Sequence, residues 1–142
     1  MKQNDFKKIL LVEDDPNDIE LTIEALKDYN LSNDLAVVRD GEDALDYLRY
    51  SGKYKNRPPG NPVVILLDLK LPKIDGLQVL RQIRSDEKLS LIPVIALTSS
   101  REEQDLVHGY NIGTNAYVIK PLDLKEFIET AKNIGIFEEL TK

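Results

Sequence analysis

Residues 63–68 read Val-Val-Ile-Leu-Leu-Asp, and this stretch decides the fold. The run Val63–Leu67 has no polar residue at either alternate position. Such a strand is apolar on both faces, as in a parallel sheet covered by helices, whereas a half-exposed strand alternates. It stops on a carboxylate, Asp68. Outward from it lie four more short apolar runs: Ile9–Val12, Leu35–Val38, Ile92–Leu97 and Ala116–Ile119.

Helical patterns fill the intervals. Asp15-Pro16 reads as an N-cap followed by proline at the first helical position, and Ile19, Ile23 and Leu26 form one stripe behind it. A second helix follows Asp40-Gly41, with Ala44, Leu45 and Leu48 inward. A third follows the turn and cap Asp75-Gly76, with Leu77, Leu80 and Ile83/Arg84 on one side. A fourth spans about Glu102 to Ile112 and is capped by Thr98, Ser99 or Ser100. In the fifth, Leu124, Phe127, Ile128, Ala131 and Ile134 recur at helical spacing. Five strand–helix units predict one parallel sheet with helices on both faces, doubly wound by right-handed crossovers. The 142 residues are expected to form one domain, with a core at about 7–134 and a short extension at 135–142 of about one turn. Ser51 to Pro62 is the one loop-like insertion, and its Lys53, Lys55 and Arg57 read as a solvated basic loop.

Composition removes several classes of function. With no cysteine, disulfides, thiolate nucleophiles and thiolate metal centres drop out. The single histidine, His108, cannot build a histidine metal site and reads as an exposed helix residue. A net charge of −6 argues against a nucleic-acid partner, which calls for a basic stripe. The polar opening Met-Lys-Gln-Asn-Asp-Phe and the lack of a long apolar run argue against membrane insertion and for a cytoplasmic protein.

In an open parallel sheet, ligands bind beyond the carboxyl ends of the strands. The groups expected there are Glu13, Asp14 and Asp15 after the first run, Asp68 after the third, Thr98, Ser99 and Ser100 after the fourth, and Lys120 and Pro121 after the fifth. Asp15 is accounted for as a cap. Glu13, Asp14 and Asp68 crowd like charges and ask for a cation. Mg²⁺ suits such a set, because it takes hard oxygen ligands and keeps several waters. Lys120 supplies a fixed positive charge and Thr98 a hydroxyl donor. A phosphoryl group on an Asp68 oxygen would meet metal, ammonium and hydroxyl together, the requirements of phosphoryl transfer to a carboxylate.

Val-Glu-Asp-Asp-Pro at 12–16, Leu-Leu-Asp-Leu-Lys-Leu-Pro at 66–72 with Asp75-Gly76, Ala-Leu-Thr-Ser at 96–99 and Tyr-Val-Ile-Lys-Pro at 117–121 resemble the receiver domains of two-component response regulators. The resemblance runs from about Lys7 to Ile134. It implies a flavodoxin-like α/β fold of the chemotaxis-regulator type, with five parallel strands in the order 2-1-3-4-5 and five helices. It implies Asp68 as phosphoacceptor and Mg²⁺ on Glu13, Asp14, Asp68 and the backbone carbonyl of Lys70. Thr98 and Lys120 would contact the phosphoryl group, and a cis peptide would join Lys120 to Pro121. Tyr117 is either the family's aromatic switch or a plain packing residue. A closer likeness is to single-domain receivers associated with bacterial phytochromes, through Asp15–Leu21 and Tyr47–Tyr54. It implies a sensor histidine kinase as partner, of phytochrome type or of another type, and a protein target downstream. Dimerisation through the fourth helix, fifth strand and fifth helix, or through the turn near Phe137, is expected by resemblance. The module would signal without being a classical enzyme. Lys70 and Ser100 stand where relatives vary, which leaves the phosphoryl lifetime open.

Three other readings fit the sequence less well. A phosphorylation-independent docking module would tolerate loss of Asp68, Lys120 or the acidic pair, and all are present. A small-molecule phosphatase needs a general acid two residues after the nucleophile, where Lys70 stands. A flavin site needs a phosphate loop that Glu13-Asp14-Asp15 would repel.

Overall fold

A computed structural model describes residues 6–70, 75–108 and 113–142. The strands are β1 (Ile9–Val12), β2 (Leu35–Val38), β3 (Val64–Asp68), β4 (Val94–Thr98) and β5 (Ala116–Ile119), all parallel, in the order β2-β1-β3-β4-β5. The helices are α1 (Pro16–Lys27), α2 (Gly41–Arg49), α3 (Gly76–Ser85), α4 (Arg101–His108), α5 (Leu124–Asn133) and α6 (Phe137–Thr141). No helix among the described residues is long and apolar enough to cross a membrane.

Strand parity sorts the core into two layers. Leu10, Val12, Ile65, Leu67, Val94 and Ala96 face α2 and α3, where Leu48, Leu80 and Ile83 meet them. Ile9, Leu11, Val64, Leu66, Ile95 and Leu97 face the other way, against Leu26 of α1 and Phe127 and Ala131 of α5. The central strands β1, β3 and β4 are buried along their whole length, whereas the edge strands β2 and β5 are mostly half-buried. Continuous apolarity therefore carries information at the centre, where each fully buried leucine or isoleucine is worth about 1.5–3 kcal/mol. Asp15, Asp40, Asp75 and Asp123 cap α1, α2, α3 and α5, each accepting from backbone N–H groups of the first turn.

Three expectations are corrected. The described residues form six helices, not five: α6 occupies the extension, with Leu140 buried in the α1/α5 layer and Phe137 meeting Tyr29 edge-on at a ring-centroid distance of 6.2 Å. The strands β3 and β4 begin later than their apolar runs and end on Asp68 and Thr98. Pro93 lacks an N–H and can only accept, which it does from Ile65 N–H at 2.9 Å. The basic insertion is not uniformly solvated. Arg57 turns inward, its guanidinium 4.2 Å from the Tyr47 ring centre and 4.0 Å from that of Tyr50, and donates to the carbonyls of Tyr47, Pro58 and Gly60. The expected end of α4 at Ile112, the side chain of His108, the Leu71-Pro72 part of the acceptor motif and the first five residues lie outside what is described.

Candidate functional site

The register gathers the chemistry-bearing residues at one edge. Val12 pairs with Leu67, Asp68 with Leu97 and Thr98 with Ile119, so Glu13, Asp68, Thr98 and Lys120 end neighbouring strands side by side. Backbone hydrogen bonds continue past the strands and hold these residues. Glu13 N–H donates to Val38 O at 3.0 Å, and Lys120 N–H donates to Thr98 O at 2.7 Å. The Lys120–Pro121 peptide is cis, as the resemblance implied.

Carboxylate oxygens of Glu13, Asp14 and Asp68 all lie within 4.8 Å of one another. Glu13 and Asp68 are buried, at 1% and 3% exposure, while Asp14 faces solvent. Burial pushes the Glu13 carboxyl up to about 7, aided by its hydrogen bond to the Asp68 carboxylate and by that group's charge; the Asp15 N–H and Lys120 oppose the rise. A hard divalent cation would relieve such crowding by replacing the proton with a larger charge, and carboxylate oxygens of Glu13, Asp14 and Asp68 are the hard donors it takes.

Lys120 crosses this cluster. Its Nζ donates to Asp18 Oδ2 at 2.9 Å, Glu13 Oε1 at 3.2 Å and Asp68 Oδ2 at 3.3 Å, using all three ammonium donors. Burial works against its charge, but Asp18, Asp68 and Glu13 outweigh burial and raise its pKa. The other Asp68 oxygen, Oδ1, accepts from Lys70 N–H at 3.0 Å. The Thr98 hydroxyl is fully buried and donates to Val118 O at 3.4 Å. Tyr117 is half-buried, opposite Ala96, and packs on the α2/α3 layer.

Asp15 accepts from Asn17 N–H and Asp18 N–H and is spent as the α1 cap. Ser100, rather than Thr98 or Ser99, caps α4 through Glu103 N–H at 3.1 Å. Two site residues were missed by sequence reasoning. Asp18 is one; it looks like any acidic first-turn residue. Glu103 is the other. Its carboxylate accepts from Ser99 N–H at 2.9 Å and pairs with Lys70 Nζ at 3.0 Å, tying the segment after β3 to the one after β4. Burial raises its pKa, but Lys70 and the Ser99 N–H overcome this and leave it lowered. The capping-box spacing Ser100-x-x-Glu103 was the available signal. Gly76 is a further element of the site's frame. A β-carbon there would come within 2.5 Å of Leu69 Cα and 2.6 Å of Asp68 O, so only glycine lets α3 start against the acceptor strand.

Residues 9–132 match the response regulator receiver domain family. The chain is 40% identical over 136 residues to Response regulator Rcp1 of Synechocystis sp., covering 96% of this chain and 91% of Rcp1. The Mn²⁺-bound structure of Rcp1 superimposes with a TM-score of 0.71 over 93% of this chain and 94% of that one. Bacteriophytochrome response regulator RtBRR is 56% identical, with a TM-score of 0.86 over 93% of this chain and 80% of that one. The phosphorylated cyanobacterial phytochrome response regulator RcpA is 43% identical, with a TM-score of 0.72 over 93% of each chain. The chain belongs to the response regulator receiver domain family, and is a two-component signalling protein.

Proposed function

We propose that this receiver accepts a phosphoryl group on Asp68 from the phosphohistidine of a sensor histidine kinase, with Mg²⁺ held by Glu13, Asp14, Asp68 and the Lys70 carbonyl. The observation that carries the reading is the convergence of three carboxylates within 4.8 Å with a lysine ammonium hydrogen-bonded to two of them. Bound Mg²⁺ would supply charge neutralisation at the phosphoryl oxygens. An Asp68 oxygen forms the new O–P bond while the N–P bond of the phosphohistidine breaks; the electron pair stays on the imidazole nitrogen, which takes up a proton. Lys120 balances the added negative charge from the β5 side. On phosphorylation Thr98 would turn its hydroxyl from Val118 O toward the phosphoryl group, and Tyr117 would follow into the space vacated.

The family match supports a histidine kinase as donor. The likeness to RtBRR, Rcp1 and RcpA supports a phytochrome-type kinase. Metal in Rcp1 and phosphorylation in RcpA support the acceptor chemistry here. The module signals in the cytoplasm to a protein target by change of shape, releases phosphate slowly, and is not a classical enzyme. Dimerisation belongs to the same reading, and light scattering that returns a monomer both with and without phosphorylation excludes it.

The test is intact-mass analysis after incubation with acetyl phosphate and Mg²⁺. One added phosphoryl group, dependent on Mg²⁺ and absent in Asp68→Ala, is expected. A folded protein that gains nothing and does not turn over the donor overturns the proposal in favour of a docking module.

A further inference from the structure

The carboxylate of Asp18 does not serve the cap of α1. Asp18 occupies the third helical position after the Asp15 cap, where an acidic side chain ordinarily reaches back to the cap residue's own N–H. That donor is already taken: Asp15 N–H donates to Glu13 Oε2 at 3.2 Å. The Asp18 carboxylate instead projects across the edge of the sheet and accepts from Lys120 Nζ at 2.9 Å, the shortest of the three contacts that lysine makes. The pair is largely sheltered, with side-chain exposures of 27% for Asp18 and 17% for Lys120.

Of the three acceptors on Lys120, Glu13 and Asp68 also belong to the carboxylate set that fits a cation. Asp18 lies outside that set, so a bound cation leaves its hold on the ammonium in place. It also adds a fourth carboxylate, beside Glu13, Asp14 and Asp68, to an edge that must receive a phosphoryl dianion. We propose that Asp18 is a positioning residue that competes with the phosphoryl group for the Lys120 ammonium, and so sets how readily Asp68 stays phosphorylated. The inference rests on the reading of Asp68 as acceptor and Lys120 as its counter-cation.

Beryllofluoride tests it at equilibrium. This phosphoryl stand-in forms a Be–O bond to a carboxylate oxygen, with loss of one water or fluoride from beryllium, and does not turn over. Its affinity is measured at Mg²⁺ concentrations shown to saturate each protein. Asp18→Asn is expected to bind beryllofluoride about three- to fivefold more tightly than wild type, the scale of a partly sheltered ion pair. Asp18→Glu, which keeps the anion, is expected to stay near wild type. A role confined to capping α1 would lower the melting temperature of Asp18→Asn without tightening that affinity. Unchanged or weaker binding by Asp18→Asn overturns the proposal. If Asp18→Asn does not fold, Asp18→Ser carries the same comparison. If wild type itself shows no Mg²⁺-dependent binding, the acceptor assignment beneath the proposal falls instead.

Discussion

Lys120 at the carboxyl edge of the sheet and two arginines at the far edge are held in opposite ways. At the carboxyl edge, Lys120 donates to three carboxylates. At the far edge, Arg84 donates to the carbonyls of Gly113, Ser90 and Ile92 and to the amide oxygen of Asn115, and Arg57 donates to the carbonyls of Tyr47, Pro58 and Gly60. A carbonyl carries no net charge and does not titrate, so an arginine fixed this way staples loops and has one stable arrangement. A cation shared among carboxylates sits in a field that protons, metals and phosphoryl groups can all change. The type of acceptor, more than the presence of a cation, separates the responsive edge from the structural one.

The largest break of this contrast comes at Asp68. Asp68→Asn is expected to abolish phosphorylation by acetyl phosphate while leaving the melting temperature of the metal-free protein unchanged or higher, because it removes a buried like charge beside Glu13; mass spectrometry and calorimetry read the two effects. Arg84→Ala is expected to do the reverse. It should cost about 2–3 kcal/mol in denaturant unfolding, since it leaves several loop carbonyls without their donor, with Mg²⁺ affinity unchanged.

The pH dependence sharpens the same contrast. With its pKa raised from 4.5 to about 7, Glu13 holds a proton in the folded metal-free protein that the unfolded chain has released. The resulting stability is fully present below pH 4.5 and fades as pH rises through about 7. A cation must displace that proton, so Mg²⁺ affinity is expected to fall as pH drops below about 7, with up to one proton released per ion in calorimetry across buffers. Glu13→Gln should flatten the proton release. The smallest effect is at Lys70. Its pair with Glu103 is 72% exposed on the lysine side, and Lys70→Ala is expected to change unfolding stability by less than about 1 kcal/mol.

Much of this architecture is legible in the chain. The runs Ile9–Val12, Leu35–Val38 and Ala116–Ile119 coincide with strands, because apolarity and pairing end together there. They part company at β3 and β4: Val63 and Ile92 are apolar but precede the ladder, and Asp68 and Thr98 are polar but remain in it. Pairing is a backbone property that hydropathy reports only indirectly. The segment of α6 is too short to show a helical period, and the residues it packs against, Leu26, Leu31 and Tyr29 among them, lie more than a hundred positions earlier in the chain. At the site, Glu13, Asp14, Asp68 and Lys120 were found because each sits at or just after a strand end, where topology alone brings them together. Asp18 was not, because its importance follows from a contact to Lys120 across 102 residues and from a cap donor already taken by Glu13. The inward turn of Arg57 is hidden in the sequence for a related reason: the two tyrosine rings it packs on belong to the preceding helix and its C-cap.

Position 76 shows how the frame of the site filters sequence space. Its glycine needs no unusual backbone angle, so conformational preference alone would admit alanine, the best of helix formers. The obstacle is the backbone of Asp68 and Leu69, which no rotamer change can move aside. A library randomised at this position and selected for folded protein should return glycine almost alone. Randomised at the outward-facing Arg81, on the same helix, it should return most of the alphabet.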